Sequence, residues 1–353
     1  MKKTLQQHHS TLTKFLKQYF QQQQARFQNQ IWTKDVFSRL YPYTTTGKMV
    51  RGSMVLTIWQ FLAEQNSVVA QDQVIKLAAG IELFHSGLLI HDDIIDQDQL
   101  RRGQPAMHQQ YSNWTKKHSQ ARHFGHSMAQ CVGDICLMLS FDLLAEAKLE
   151  PAIENQLLKL WAKEITSVAL AEMHDVELAM LKTKTTQAEI LKMYLYKTGR
   201  YTFSLPFMTG AIAAQAKQTL IDNLAKLGEY LGIIFQIKDD ELGLMAKQTK
   251  LGKPIGSDIR EGKKTIFYHY LIKQAQPKDK AKIQQLFGNS KLTQQDIKFV
   301  QQQLKKTESF SAVNQLVDSY TAKAKRLIAQ LKISKKNKQF LEKLLQYNLQ
   351  RKY

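Results

Sequence analysis

Cysteine is nearly absent from this chain: Cys131 and Cys136 are the only two in 353 residues. So few thiols exclude a disulfide-stapled scaffold and a cysteine-built zinc site. Two thiols in one expected helix suit a reducing, cytoplasmic location. Proline is scarce as well, with 6 residues, and glycine numbers 16. With few breakers and abundant glutamine, leucine, lysine and alanine, the composition points to an all-α protein. No unbroken apolar run reaches the ~18–20 residues of a membrane span. The N-terminal MKKTLQQHHSTL has two lysines but no apolar stretch, so no secretory signal is expected. Acidic residues are in deficit, 30 against 50 lysines and arginines, giving a formal charge of +20. Nucleic acid is one partner such charge suits. The lysines are spread out, however, and no zinc-finger, RNP or helix-turn-helix signature is present, so no nucleic acid is expected. An anionic small substrate, or at most peripheral contact with an acidic membrane, suits the charge equally. Most of it is expected on solvated surface. An apolar share of 43% is enough for a packed core.

Apolar spacing predicts helices over about 12–20 (continuing through Gln21–Gln24), 49–64, 70–99, 119–149, 152–182, 186–214 and 217–246. Pro42 is read as a break before the polar loop TTTGK, Pro151 as a first-turn residue and Pro206 as a kink. A Gly-rich polar loop occupies 247–262. Shorter helices follow at about 264–275, 279–287, 293–306, 310–331 and 336–350, with Thr293 and Asp296 as a capping box. No Pro/Gly/Ser linker separates two halves, so one helical domain over 1–353 is expected.

The chain is organised around HSGLLIHDDIIDQDQLRRGQPAMH, residues 85–108. An apolar helical run leads into Asp92, Asp93 and Asp96. Asp92 and Asp96 are four apart and share a helix face. Like charges at that spacing repel, so a cation is the natural partner, and all-oxygen ligands favour Mg²⁺ or Ca²⁺ over zinc or copper. Arg101 and Arg102 follow, ahead of Gly103 and Pro105. Carboxylates and arginines on one short segment suit a polyphosphate, bridged by metal and gripped by guanidinium. The plainer reading is a helix whose acidic last turn faces solvent; a second site of like chemistry decides between them.

FQIKDDELG at 235–243 supplies that second site. Asp239 and Asp240 again end an apolar helical stretch, and two such clusters would face each other across a bundle core. Basic groups recur nearby in sequence: Lys48 and Arg51 in TGKMVRG, His85 two turns before Asp92, Lys197 and Thr198 after an apolar run, and Lys253 and Lys263 around the Gly-rich loop. Singly, each reads as a surface lysine or a satisfied histidine.

In this order, TGKMVRG, the 85–108 run, KTG at 197–199, FQIKDDELG and LGKPIGSDIREGKKT resemble the trans-isoprenyl diphosphate synthases, the polyprenyl synthetase family. The resemblance covers about 45–265. It implies an all-α bundle of long antiparallel helices around a deep central cavity, the isoprenoid synthase type I fold, as a homodimer. It implies head-to-tail condensation of isopentenyl diphosphate with an allylic diphosphate. By the same resemblance Asp92, Asp96 and Asp239 bind Mg²⁺, three ions per site, with Asp93, Asp240 and Asp258 in support. Arg101, Lys197 and Lys253 grip the leaving diphosphate. Lys48, Arg51, His85 and Arg102 hold isopentenyl diphosphate, with Lys263 a further substrate contact, and Thr198 and Gln236 line the reacting carbon. Asp175 falls where the family pairs an aspartate with the KTG lysine. The chain departs from the family's GGKRLRP at Thr46, Met49 and Gly52, and Gly243 replaces a third aspartate in the second motif.

The growing tail is expected to run back along the first acidic helix past Leu88 and Gly87, with Phe84 as floor and a twenty-carbon product. The alternative is that Phe84 is ordinary core and another helix sets the length. A silent regulatory subunit and a class I terpene cyclase share parts of this pattern. Intact Asp92, Asp93, Asp96 and both arginines argue against the first. The second diphosphate pocket, at Lys48, Arg51 and His85, argues against the second.

Overall fold

The structure, a computed structural model, describes residues 1–63, 69–180, 185–245 and 256–351. About four-fifths of them are helical. In chain order the helices are α1 (Lys2–Arg26), α2 (Thr33–Thr45), α3 (Val50–Leu62) and α4 (Gln71–Ile95). A two-residue antiparallel pair follows, β1 (Leu100–Arg101) and β2 (Gln104–Pro105). Next come α5 (Met107–Trp114), α6 (Ala121–Glu146), α7 (Pro151–Met180), α8 (Gln187–Tyr194), a π-helical segment (Leu195–Ser204), α9 (Leu205–Ala213) and α10 (Gln218–Met245). The rest are α11 (Ser257–Arg260), α12 (Ile266–Gln274), α13 (Pro277–Leu286), α14 (Gln294–Lys306), α15 (Ser309–Gln330) and α16 (Lys335–Leu349).

The chain divides into two compact units, residues 1–159 with 206–221, and residues 160–205 with 222–353. In the first, α4 is the hub and packs on α1, α2, α3 and α6, while α5 packs on α6. Val74, Leu77, Ile81, Leu83, Phe84 and Ile90 of α4 are all buried. By length and composition α4 and α6 could each cross a membrane, but 78% of the most apolar stretch of α4 is buried, as in a core helix. Two side chains fasten α6 and the residues after it: Tyr19 donates to Asp142 at 3.1 Å, and Gln73 to the Ala147 carbonyl at 2.8 Å. In the second unit α12 packs on α8, α14 and α15, and α16 on α15. Thr293 and Asp296 form the expected capping box of α14.

Three local features differ from the expectations. Pro42 does not break the chain; it lies inside α2, one turn from its end, where a proline removes only one helical hydrogen bond. Gly103 and Pro105, read from the sequence as ending the acidic helix, lie beyond its end at Ile95 and belong to the small hairpin that leads into α5, with Gly103 at φ +76°. Pro206 sits in the first turn of α9, and the irregularity lies before it, in ten residues of π-helix. A residue without an N–H is accommodated by the wider turn ahead of it.

Candidate active site

In the first unit the apolar run of α4 delivers its acids at the helix end, where Asp96 is the C-cap. Asp92 and Asp96 are both part-exposed and have carboxylate oxygens within 4.8 Å of each other, a span one cation bridges. Asp93 has another role. It is buried and takes hydrogen bonds from Arg101 Nε at 2.6 Å and from the Tyr43 hydroxyl at 3.1 Å. Burial pushes its carboxyl up to about 6 against the pull of Arg101. Arg101 also reaches Asp92 and Asp98, each at 3.3 Å. Burial alone would ease its proton off, but Asp93 and Asp92 more than offset that and hold it charged. Arg101 is thus the rivet of this acidic cluster.

Beside it lies the basic group. Arg102 takes φ 54° and donates to the Tyr43 carbonyl at 2.8 Å. Its guanidinium lies so close to Gly47 that a Cβ there would stand 2.6 Å from Nη2. A side chain at Gly47 would therefore push the Arg102 guanidinium aside. Burial, then the charges of Arg51, Arg102 and Arg101, hold the buried His85 imidazole neutral. The structure brings Arg51, His85 and Arg102 together; Lys48 is exposed, just ahead of α3. Gly52 departs from the family for a visible reason. Its N–H donates to the buried Glu82 carboxylate at 2.7 Å, which a proline could not do.

In the second unit the acid pair repeats the arrangement of the first. Asp239 is 41% exposed. Asp240 is buried, takes the Tyr194 hydroxyl in a short hydrogen bond, and accepts from Gln236 at 2.7 Å. Burial, then the neighbouring Asp258, raises the Asp240 carboxyl well above its ordinary range. Tyr194 Oη in turn accepts the Ile266 N–H at 2.8 Å. In both motifs, then, one aspartate faces outward and the next is tied down by a tyrosine. Gly243 also finds its reason here: a Cβ there would lie 2.9 Å from the Asp258 carboxylate, which fills the space. Lys197 donates to Asp175 at 2.6 Å, as the resemblance implied, and to Glu172. Thr198 lies half-buried in the π segment, and Lys263 pairs with Glu261 at 2.8 Å. Lys253 lies outside the described residues.

The chain-length residues sit on α4. Phe84 is fully buried, Leu88 is half-buried, and Gly87 faces α6, where a Cβ would stand 2.9 Å from the Gly133 carbonyl. Sequence reasoning missed Tyr43, Tyr194, Asp98 and Glu172. It also missed Arg351, whose guanidinium lies 3.3 Å from Asp239 and 3.8 Å over the Phe235 ring. The tyrosines carry no motif spacing, and Arg351 lies in the basic C-terminal stretch KISKKNKQFLEKLLQYNLQRKY, which carries none either.

Helices that end in carboxylate pairs, with arginine, lysine and neutral histidine beside them, define a diphosphate-handling enzyme of all-α build. Residues 34–304 match the family model described as polyprenyl synthetase. A short chain isoprenyl diphosphate synthase of Methanocaldococcus jannaschii is 32% identical over 252 residues, covering 71% of this chain and 70% of its own. A geranylgeranyl diphosphate synthase of Saccharolobus solfataricus is 29% identical and covers 88% of each chain. Among solved structures, geranylgeranyl pyrophosphate synthase from Corynebacterium glutamicum, complexed with isoprenyl diphosphate and magnesium, superposes with a TM-score of 0.92 at 25% identity, covering 99% of both. The chain belongs to the polyprenyl synthetase family and is a prenyltransferase.

Proposed function

We propose that the enzyme condenses isopentenyl diphosphate head-to-tail with an allylic diphosphate and releases a short all-trans product, the twenty-carbon geranylgeranyl diphosphate. The observation that carries this is the pairing, in each acid motif, of one outward aspartate with one buried and tyrosine-bound. Asp92 and Asp96, with Asp239, then serve the allylic diphosphate. Their all-oxygen donor set fits Mg²⁺, and bound Mg²⁺ supplies positive charge to the departing diphosphate oxygen. Lys197 and Arg101 add fixed positive charge for that leaving group. Lys253, in the polar loop, is assigned to it by resemblance. Arg51, Arg102 and the neutral His85, with Lys48, bind isopentenyl diphosphate, and Lys263 is a further substrate contact. The Thr198 hydroxyl and the Gln236 amide soften the allylic cation as neutral dipoles, and the released diphosphate takes the final proton.

A homodimer in the cytoplasm is part of the same proposal. Leu170, Met173, Val176 and Met180 are exposed and recur every three or four residues on one face of α7, a stripe suited to a second copy. Light scattering on the purified chain is expected to give twice the monomer mass, and a monomer would refute it. The catalytic proposal is tested by incubating the protein with labelled isopentenyl diphosphate, Mg²⁺ and dimethylallyl, geranyl or farnesyl primers. Twenty-carbon product that vanishes with chelator is expected. No elongated product with any primer would overturn it.

A further inference from the structure

On the first unit a loop tip and two helix ends bring apolar side chains to the surface. Ile31 is 93% exposed, Trp32 beside it caps α2, and Trp114, the last residue of α5, is 59% exposed. The two indoles pack edge to face 5.3 Å apart, and Phe124 near the start of α6 lies 6.3 Å from Trp114. Exposed aromatic and aliphatic side chains gathered in one patch mark an interaction surface. Its charge is of one sign. Lys34 is two residues from Trp32, Lys116 and Lys117 follow Trp114, and Arg122 precedes Phe124; all four are exposed. Residues 1–34 hold six lysines and arginines and residues 99–133 hold five, and neither stretch contains an aspartate or glutamate. Asp35, which follows Lys34 in sequence, is taken up by Arg39 at 2.9 Å and the Tyr111 hydroxyl at 2.8 Å.

We propose that this patch docks the enzyme on an anionic lipid bilayer. Ile31, Trp32 and Trp114 enter the headgroup layer, where indole prefers to lie, and the four cations lie against lipid phosphates. A nucleic acid fits less well. The Trp32 and Trp114 rings meet at 80°, so they offer no parallel faces for successive bases, and Ile31 has nothing to stack on. A second copy of this chain would bring the same positive patch against itself. The surface also adjoins the chemistry. Arg122 donates to Gln97 at 2.8 Å, on the residue after Asp96, so the basic rim reaches the first acid cluster. A product with a diphosphate head and a long apolar tail belongs in a bilayer, and that last point alone rests on the proposed reaction.

The test uses the full chain without substrates, mixed with vesicles of phosphatidylcholine alone or with about one-third phosphatidylglycerol. Cosedimentation is expected with the anionic vesicles, at least about tenfold weaker with the neutral ones, and weaker with added salt. Tryptophan emission is expected to shift to the blue, because Trp59 and Trp161 are buried and only Trp32 and Trp114 can respond. I31S/W114S and K116E/K117E are each expected to weaken vesicle binding about tenfold or more while prenyl transfer with water-soluble substrates is unchanged. Should I31S/W114S fail to fold, K116E/K117E decides alone. Equal binding to both vesicle types, vesicle binding unchanged in the variants, an oligomer that the variants dissociate, or tighter binding to an oligonucleotide than to vesicles would each overturn the proposal. None of these results depends on catalysis, so they leave the proposed reaction standing or falling by its own assay.

Discussion

Tyr43 and Tyr194 do for the two acid motifs what no motif spacing announces. Each hydroxyl donates to the buried member of an aspartate pair, Asp93 or Asp240. A buried carboxylate that loses a donor is left with an unmet desolvation penalty of about 1–3 kcal/mol. Tyr43→Phe and Tyr194→Phe are therefore expected to raise the Mg²⁺ concentration for half-maximal rate by about tenfold, the equivalent of ~1.4 kcal/mol. A metal titration of the steady-state rate checks this, and an unchanged midpoint would show the hydroxyls to be idle. His108 gives a second residue-scale prediction. It is buried beside His126, ring centroids 5.1 Å apart, and neither of its nitrogens has a hydrogen-bond partner among the described residues. Burial, then the neighbouring His126, lowers its proton affinity from 6.5 to about 4. The folded protein thus binds fewer protons than the unfolded chain between those values. Stability is full above the upper value and falls as pH drops through the window, by on the order of 2–3 kcal/mol. Thermal melts of His108→Leu from pH 4 to 8 are expected to lose most of that slope. A slope equal to the parent's would place the acid sensitivity elsewhere.

At the scale of elements, the long helices were legible because their apolar positions recur with helical period, and each is found within a few residues of its expected ends, apart from the start of α1, which lies ten residues earlier at Lys2, and the split of 186–214. Element α2 was not, because Pro42 reads locally as a breaker while its cost depends on how near the helix end it lies. The site was legible where acids and bases follow fixed spacing. It was not where the partner comes from a distant helix, as with Glu172 for Lys197 and Asp258 in the space left by Gly243. The π segment was invisible for a related reason. It is held by Gly199 against Gly232 and by Arg200, which reaches Glu164 at 2.9 Å on α7 and Glu229 at 2.6 Å on α10. Glu164 is fully buried, so removing its partner strands a charge at a cost of about 3–5 kcal/mol. Arg200→Met is expected to lower both the melting temperature and kcat, since Lys197 and Thr198 sit on the same segment. Arg200→Lys is expected to recover part of each; recovery of stability with no recovery of kcat would separate the clamp from the chemistry. On α4, Phe84→Ala is the clean test of tail length, because Gly87→Phe must first push α6 aside. Longer products are expected from Phe84→Ala by chromatography, and the parent's chain length would move the floor to another helix.

At the scale of the whole molecule, both compact units carry the same device. A helix carries two adjacent aspartates; the second is drawn inward by a tyrosine, while the first lies nearer the surface and pairs with an arginine, Arg101 or Arg351. The most direct measurement is calorimetric titration of Asp92→Asn and Asp239→Asn with Mg²⁺ and a non-reactive thiolo analogue of the allylic diphosphate. Both substitutions are expected to weaken metal-dependent binding by about a hundredfold, ~2.7 kcal/mol, with melting temperatures near the parent's. Parental affinity in either variant would contradict the claim that the outward acid of each pair holds the metal and the diphosphate.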